Sequence, residues 1–194
     1  MSRTLSLLLV LSLAAAARAA TITVDVRDAR GGAVADAVVY AVPEGRELPL
    51  VKKSAIMDQK NRTFVPHVLP VQTGTAVRFP NSDDIRHQVY SFSSVKQFQI
   101  PLYKGTPANP VVFDRAGVVT LGCSIHDRMS AYIVIVDTPY FATTKKNGRA
   151  ELEAVNAGKY ALRVWYPEMA NEPAPTALAL GSADNERVVV TVRK

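Results

Sequence analysis

Apolar and polar residues alternate with a period of two along most of the chain, whereas a sustained period of 3.6 residues is missing. Successive side chains of a β-strand point to opposite faces, so this alternation predicts strands with one buried face. Turn-forming residues separate the alternating segments. The candidate strands are residues 21–26, 37–42, 68–71, 76–79, 88–92, 111–113, 118–121, 132–136, 148–152, 158–165 and 188–192. The chain is therefore predicted to be all-β, a sandwich or barrel.

Two finer predictions follow from the same pattern. The first two candidate strands flank the turn-forming residues 29–32, which predicts that they pair as a hairpin. Aromatic residues at strand positions in the middle of the chain are predicted to pack in the core. These aromatic residues are Phe79, Tyr90, Phe92, Phe98, Tyr103 and Phe113.

The start of the chain has a different character, typical of an export signal peptide. Arg3 precedes an apolar run over residues 5–13, and Ala17-Arg18-Ala19 forms a small-x-small cleavage site. We predict cleavage after Ala19; the alternative is a buried N-terminal helix. The apolar run is too short to span a bilayer, and no later segment is long enough. The mature protein is thus predicted to be soluble and not membrane-spanning, in the periplasm or, alternatively, secreted.

Charge excludes one class of partner. The chain has 23 Lys and Arg against 17 Asp and Glu, and two of the basic residues lie in the signal peptide. The remaining excess is small and contains no basic runs, so nucleic acid is not predicted as a partner. About 175 residues remain after cleavage, enough for one large domain or two small ones.

A single cysteine, Cys123, is unusual for an exported protein, because such proteins normally pair their cysteines in disulfides. One interpretation is a buried, inert thiol. The other is a metal ligand, since residues 122–129, GCSIHDRM, place Cys123, His126 and Met129 at C-x2-H-x2-M, and His87 supplies a second imidazole. Two imidazoles, one thiolate and a weak axial thioether suit copper in both oxidation states. Zinc could use the same imidazoles and thiolate, but a thioether is not a usual zinc ligand.

The segments around these residues resemble the cupredoxins, the family of plastocyanin, pseudoazurin and amicyanin. The resemblance covers about residues 57–137 and is carried by FVPHVLPVQTGTAVRFPNSDDIRHQV and FDRAGVVTLGCSIHDRM. The ligand loop looks most like that of amicyanin. The longer extent resembles exported plastocyanin-like proteins described with methylamine utilisation. This resemblance implies a Greek-key β-sandwich that holds one type 1 copper through His87, Cys123, His126 and Met129, with His126 nearest the surface.

Gln88 stands where many cupredoxins have Asn, an amide that ties the two ligand loops together. Gln88 and Ser124 are therefore expected to do so here, less rigidly. Ile125, Asp127 and Arg128 replace the proline and apolar residues often found beside the second histidine, which implies a charged surface for electron exchange.

The remaining histidine and methionines are given simpler interpretations. His67 is predicted to be an exposed or packed strand residue, with a weak second metal site as the alternative. Met57 and Met169 are predicted to be core or surface residues.

The head and tail of the chain resemble the small β-sandwich of carboxypeptidase regulatory-like domains. The resemblance is carried by VDVRDARGGAVADAVVYAVP and KNGRAELEAVNAGKYALRVWYP. It implies a discontinuous sandwich of residues 20–45 and 137–194, with residues 46–136 inserted as the cupredoxin domain and 1–19 as the signal peptide. In the alternative division, the head extends the middle domain and only the tail is separate.

These features favour a non-catalytic protein that carries single electrons between redox partners, such as a periplasmic dehydrogenase and a c-type cytochrome. A copper carrier or resistance protein without redox cycling is the first alternative, and a structural adhesion module the second. No paired carboxylates, activated nucleophile or cofactor loop indicates an enzyme, and copper enzymes of this fold need more than three histidines. The sequence does not predict an oligomeric state.

Overall fold

The computed structural model describes residues 19–51, 53–169 and 171–193. All regular secondary structure in these ranges is β, which confirms the predicted class, and within them no helix has the length and apolarity to cross a membrane. The predicted signal peptide, residues 1–19, lies outside the described residues except for Ala19. The strands are β1 (Ala20–Asp28), β2 (Val38–Pro43), β3 (Ser54–Ile56), β4 (Asp58–Lys60), β5 (Thr63–Val65), β6 (Val68–Gln72), β7 (Thr75–Arg78), β8 (His87–Ser91), β9 (Phe98–Tyr103), β10 (Val111–Phe113), β11 (Gly117–Gly122), β12 (Ser130–Val136), β13 (Phe141–Thr143), β14 (Arg149–Val155), β15 (Gly158–Trp165), β16 (Thr176–Leu180) and β17 (Asn185–Val192).

Strands from the head and the tail of the chain form two sheets around one core. One sheet has the order β14-β1-β17 and the other β13-β2-β15-β16. Ile22 and Val24 of β1 point into this core, as do Val39 of β2 and Leu162 and Val164 of β15. Alternation places these apolar side chains on the inner faces of both sheets.

The predicted hairpin between the first two strands is wrong. β1 pairs with β14 and in parallel with β17, whereas β2 pairs with β13 and β15 in the opposite sheet. Strands that face each other across a core show the same inward alternation as strands that pair side by side. The pattern therefore identifies the buried residues of β1 and β2 but not their partners.

The middle of the chain forms a second set of sheets with its own core. A five-stranded sheet has the order β6-β12-β11-β8-β9, a three-stranded sheet the order β10-β7-β3, and β4 and β5 form a short hairpin. Val77 of β7 and Val89 of β8 are completely buried between these sheets, and Phe79 and Phe113 pack there with Phe98. Core packing of these three aromatic residues agrees with the prediction.

Phe92 contradicts the same prediction, because 79% of its surface is exposed. Val89 and Ser91 point into the core, so Tyr90 and Phe92 have the opposite parity and point outward. The rings of Tyr90 and Phe92 lie 5.1 Å apart on this outer face.

β12 joins the two sets of sheets because both of its faces are covered. Ala131 and Ile133 pack in the core of the middle sheets, whereas Val134 and Val136 pack with Val38 of β2. A strand that is buried on both faces has a continuous apolar sequence, as residues 131–136 do.

Candidate metal centre

The candidate ligands come from two neighbouring strands of the five-stranded sheet. His87 is the first residue of β8, and Cys123, His126 and Met129 lie in the loop between β11 and β12. β8 and β11 are paired through Tyr90 and Gly122, next to the start of that loop. Antiparallel pairing therefore brings His87 to the end of β11, where Cys123 follows.

Three of the four predicted ligands converge. The Cys123 sulfur lies 3.9 Å from Nδ1 of His87 and 3.8 Å from Nδ1 of His126, and these ligand atoms all lie within 4.8 Å of one another. Donors bound at about 2.0–2.3 Å to one ion in a trigonal array are separated by roughly 3.3–4 Å. The donor chemistry and the spacing therefore fit a single metal ion.

Met129 is buried in the same core as Cys123, with 2% of its surface exposed. The loop that carries it is closed by two backbone hydrogen bonds, from His126 N–H to the Cys123 carbonyl and from Met129 N–H to the His126 carbonyl. Its role as an axial ligand stays a prediction.

The two histidines differ in burial. His87 has no exposed surface, whereas His126 is half-buried and its Nε2 makes no hydrogen bond within the described residues. One imidazole is thus enclosed by the fold, and the other lies closer to solvent.

Asp83 fixes the orientation of His87. Its Oδ2 lies 2.7 Å from Nε2 of His87 and also accepts a hydrogen bond from Arg62 N–H at 2.9 Å, while Oδ1 accepts from Asn61 N–H at 2.6 Å. An ionised carboxylate at Nε2 favours the tautomer that carries the proton there, which leaves the Nδ1 lone pair facing the Cys123 sulfur.

Burial alone would raise the pKa of Asp83. The hydrogen bonds from Arg62 N–H, the His87 ring and Asn61 N–H outweigh burial, so the pKa lies below its ordinary value. Asp83 is therefore ionised at neutral pH and can hold the His87 proton.

This role of Asp83 was not predicted from the sequence. The turn around Asp83 is specific: the Asn81 side chain accepts from Asp83 N–H and donates to the carbonyls of Ile85 and Tyr103. An aspartate four residues before a ligand histidine, in a turn that begins with asparagine, was the available signal.

The other predicted supporting residues are placed differently. Gln88 is buried and Ser124 exposed, and no hydrogen bond joins their side chains in the described part of the chain. Their role in tying the ligand loops together stays a prediction.

His67 lies apart from the cluster. It is exposed, its ring meets the Tyr132 ring edge-on at 5.6 Å, and it lines a separate cavity with Asp28, Asp36 and Glu168. The convergent group found among the described residues comprises His87, Cys123 and His126 and does not include His67. A second metal site there stays a prediction.

The middle sheets confirm the cupredoxin fold that the resemblance implied. Five-stranded and three-stranded sheets enclose one core, and the His-Cys-His cluster lies where β8 meets the loop after β11.

Comparison with known proteins gives matches to solved structures alone. No protein-family model matches the chain, and no curated protein is similar to it at a significant level. A purple cupredoxin from Nitrosopumilus maritimus is similar at 20% identity and TM-score 0.38, over 42% of this chain and 99% of that one. A copper-containing nitrite reductase from Thermus scotoductus is similar at 21% identity and TM-score 0.41, over 51% of this chain and 25% of that one. A mutant of amicyanin in its Cu(I) form is similar at 21% identity and TM-score 0.40, over 43% of this chain and 82% of that one.

Proposed function

We propose that this protein is a mononuclear type 1 copper protein that carries single electrons between redox partners. His87, Cys123 and His126 would hold the ion, with Met129 as a weak axial ligand. One observation carries the proposal: the sulfur of the chain's single cysteine lies within 3.9 Å of two imidazole nitrogens in a site held by paired strands. Copper in such a site supplies one-electron oxidation and reduction.

The donor set favours copper over zinc. Thiolate and thioether are soft ligands that suit Cu(I), whereas zinc sites are built from thiolate, imidazole and carboxylate. Met129 is buried beside Cys123 in the core, so a thioether is the available fourth group. The two acidic residues beside the cluster do not take the place of the fourth ligand: Asp83 is hydrogen-bonded to His87, and Asp127 is exposed.

The scaffold supports electron transfer because it restrains the ligands. Asp83 holds His87, and the hydrogen bonds of the ligand loop position His126 and Met129 relative to Cys123. Ligands that move little between the two oxidation states keep the reorganisation of each exchange small. His126, the half-buried ligand, would be the point where electrons pass to and from protein partners.

The proposal extends to location, partners and activity. Residues 1–19 resemble an export signal peptide, so we assign the protein to the periplasm, with a c-type cytochrome or a periplasmic dehydrogenase as its partner. Such contacts are small and transient. We assign no enzymatic activity to it, because the three histidines of the chain cannot build a further copper site of the kind that copper enzymes use.

We also propose a division of the chain into a cupredoxin domain at residues 46–136 and a discontinuous β-sandwich at residues 20–45 and 137–194. Two separate apolar cores support this division.

Titration of the purified protein with Cu(II) tests the metal site. We expect an intense visible absorption from thiolate-to-Cu(II) charge transfer, loss of the titratable thiol and a reversible voltammetric wave. Cys123→Ala should abolish the absorption. Met129→Leu should shift the potential, whereas Met57→Leu, at a buried methionine of the same core, should not. A colourless protein with a freely titratable thiol would overturn the proposal. Copper that binds but does not cycle would identify a carrier instead.

A further inference from the structure

A surface cavity of about 580 Å³ opens beside Cys123. Tyr90 and Phe92 line it together with Cys123 and Met129, and Ser93, Ser124 and Asp127 add polar groups. Cavities that bind small organic molecules have volumes of about 300–1,000 Å³ and combine apolar walls with a few polar groups. This cavity has both properties and reaches two of the proposed metal ligands.

Phe92 gives the cavity an exposed aromatic wall. It is the most exposed large apolar side chain in the described part of the chain, at 79%, and its ring packs against Tyr90 at a centroid distance of 5.1 Å. Exposed aromatic surface beside a polar rim is typical of a binding site. The tilted pair presents ring faces and edges on which another aromatic ring could stack.

Gly122 places this wall in contact with the backbone that leads to the thiolate. A Cβ atom on Gly122 would lie 2.6 Å from Cζ of Tyr90, so the Tyr90 ring occupies the space that a side chain would need. Gly122 is also the β11 residue that pairs with Tyr90 and is bonded directly to Cys123. A molecule stacked on this wall is therefore linked to the sulfur by van der Waals contacts through the Tyr90 ring to Gly122 and from there by a short covalent path to Cys123.

The polar groups of the cavity suit a hydroxyl group on the guest. Within the described residues, the Asp127 carboxylate makes no hydrogen bond or ion pair, so it is free to accept from an O–H donor. The Ser93 oxygen already accepts from Thr120 N–H at 2.9 Å, which leaves its own O–H available to donate.

We propose that this cavity binds a small phenol or hydroquinone and that the bound molecule delivers one electron to the metal centre through Gly122 and Cys123. The inference rests on the proposed function. The O–H bond of the bound molecule would break, its proton would pass to bulk solvent at the open side of the cavity, and its electron would reduce a Cu(II) ion held by the proposed ligands to Cu(I). A neutral aryloxyl radical leaves, so atoms and charge balance for one electron per ion.

Two isomers test binding and electron delivery separately. Resorcinol has the size and hydroxyl groups of hydroquinone. Calorimetric titration of resorcinol into the metal-free protein, which holds no oxidant, therefore measures binding alone. Hydroquinone mixed with the Cu(II) protein in a stopped-flow instrument measures the rate at which the visible absorption is lost. We expect saturable resorcinol binding and a hydroquinone rate that saturates at a similar concentration.

Variants locate the site. Phe92→Ala should weaken resorcinol binding by about threefold to tenfold, the range expected for loss of one aromatic contact, and slow reduction by subsaturating hydroquinone by the same factor. Leu102→Ala, at another exposed apolar position that lies outside the cavity, should change neither. Ile125→Ala alters the exposed ligand loop beside His126 and tests whether electrons enter at that surface instead.

The outcomes separate this inference from the proposed function. Absence of saturable resorcinol binding, or a Phe92→Ala variant that binds as the wild type does, would overturn the cavity. Reduction slowed by Ile125→Ala but not by Phe92→Ala would overturn the electron path, because electrons would then enter beside His126. If the protein binds no copper, the proposed function and the electron step fail together, whereas resorcinol titration of the metal-free protein still decides the cavity.

Discussion

Among residues that are not themselves proposed ligands, Asp83 has the largest expected influence on the metal. Its carboxylate accepts from His87 and from two backbone N–H groups of the turn between β4 and β5. An amide at this position presents one acceptor oxygen where the loop needs two. Substitution therefore changes both the charge near the ion and the hold on His87.

Asp83→Asn should raise the reduction potential, because removing a negative charge across one imidazole ring disfavours Cu(II). For a carboxylate charge about 6–7 Å from the ion and an effective dielectric constant of 20, the upper limit of the increase in reduction potential is ~100 mV. The free energy of unfolding should also fall by ~1–3 kcal/mol, because one N–H group loses its acceptor. Voltammetry and urea denaturation measure the two effects. Asp84→Asn, at the exposed neighbour in the same turn, is the control, and an unchanged potential in Asp83→Asn would contradict the role assigned to Asp83.

Asp25 is a buried carboxylate, and its role is in stability. It lies among Arg27, Arg149 and Arg187 on β1, β14 and β17. Burial alone would raise the pKa of Asp25, but the hydrogen bonds and charges of Arg187 and Arg149 outweigh it and lower the pKa below 3.8. A group with a lowered folded pKa contributes stability above its unfolded pKa and loses that contribution as the pH falls through the folded value.

Asp25→Asn should therefore lower the free energy of unfolding by ~1–3 kcal/mol at pH 7. This loss is smaller than that for breaking a fully buried ion pair, because the arginines are partly exposed. The difference from the wild type should shrink as the pH falls below about 4. Thermal unfolding at neutral and acidic pH measures it. Glu151→Gln, at an exposed position on β14, should show no such pH dependence, and a constant difference in Asp25→Asn would contradict the assignment.

At the level of elements, the turn between β4 and β5 supports the metal site from outside. Asn61 and Arg62 have φ angles of 55° and 57°, and their N–H groups both bond Asp83. Non-glycine residues in this left-handed region carry a cost of roughly 1–2 kcal/mol. The turn is thus a strained element whose N–H groups are needed by Asp83.

Arg62→Gly should keep the N–H group and relieve this cost, so stability should be equal to the wild type or higher. Arg62→Val should lower it by ~1–2 kcal/mol, because a β-branched side chain fits poorly at positive φ. Chemical denaturation ranks the three proteins, and the rate of copper loss to a chelator should follow the same order. Equal stability of the two variants would show that the turn is not strained.

Elements also show where sequence reasoning succeeds and where it ends. The pattern of apolar residues identified β6, β8 and β11, and it also identified β12, an apolar segment that is covered on both faces. It missed β9, which contains Pro101 and has no fully buried side chain to mark an inward face. The spacing of Cys123, His126 and Met129 identified the ligand loop, whereas Asp83 acts through hydrogen bonds across a turn, which no periodicity records.

At the level of the whole molecule, an apolar contact couples the two sets of sheets. Val38, Val68, Val134 and Val136 form its buried part, and Tyr132 of β12 packs against Trp165 of β15 with ring centroids 5.3 Å apart. Because β12 also carries residues of the metal-site core, loosening of this contact would affect the packing of both sets of sheets.

Trp165→Ala should uncouple the two sets of sheets. We expect a loss of ~1–3 kcal/mol, below the 3–5 kcal/mol typical of fully buried aromatics because Trp165 is partly exposed, and broadening or splitting of the calorimetric transition. The visible spectrum of the copper-loaded protein should be unchanged. Val189→Ala, at an exposed position on β17, is the control; a single sharp transition in Trp165→Ala would mean that the contact does not couple them.

The parallel pairing of β1 with β17 has a consequence for biogenesis. β1 cannot complete its parallel pairing until β17 has been synthesised, because Thr21 pairs opposite Asn185. By contrast, every sheet partner of β3 to β12 lies between β3 and β12 in the chain. During vectorial synthesis, the middle sheets have all their partners before the last strand emerges. Contacts so distant along the chain are slow to form. The residues of the proposed metal site can therefore come together while β1 and β17 are still unpaired.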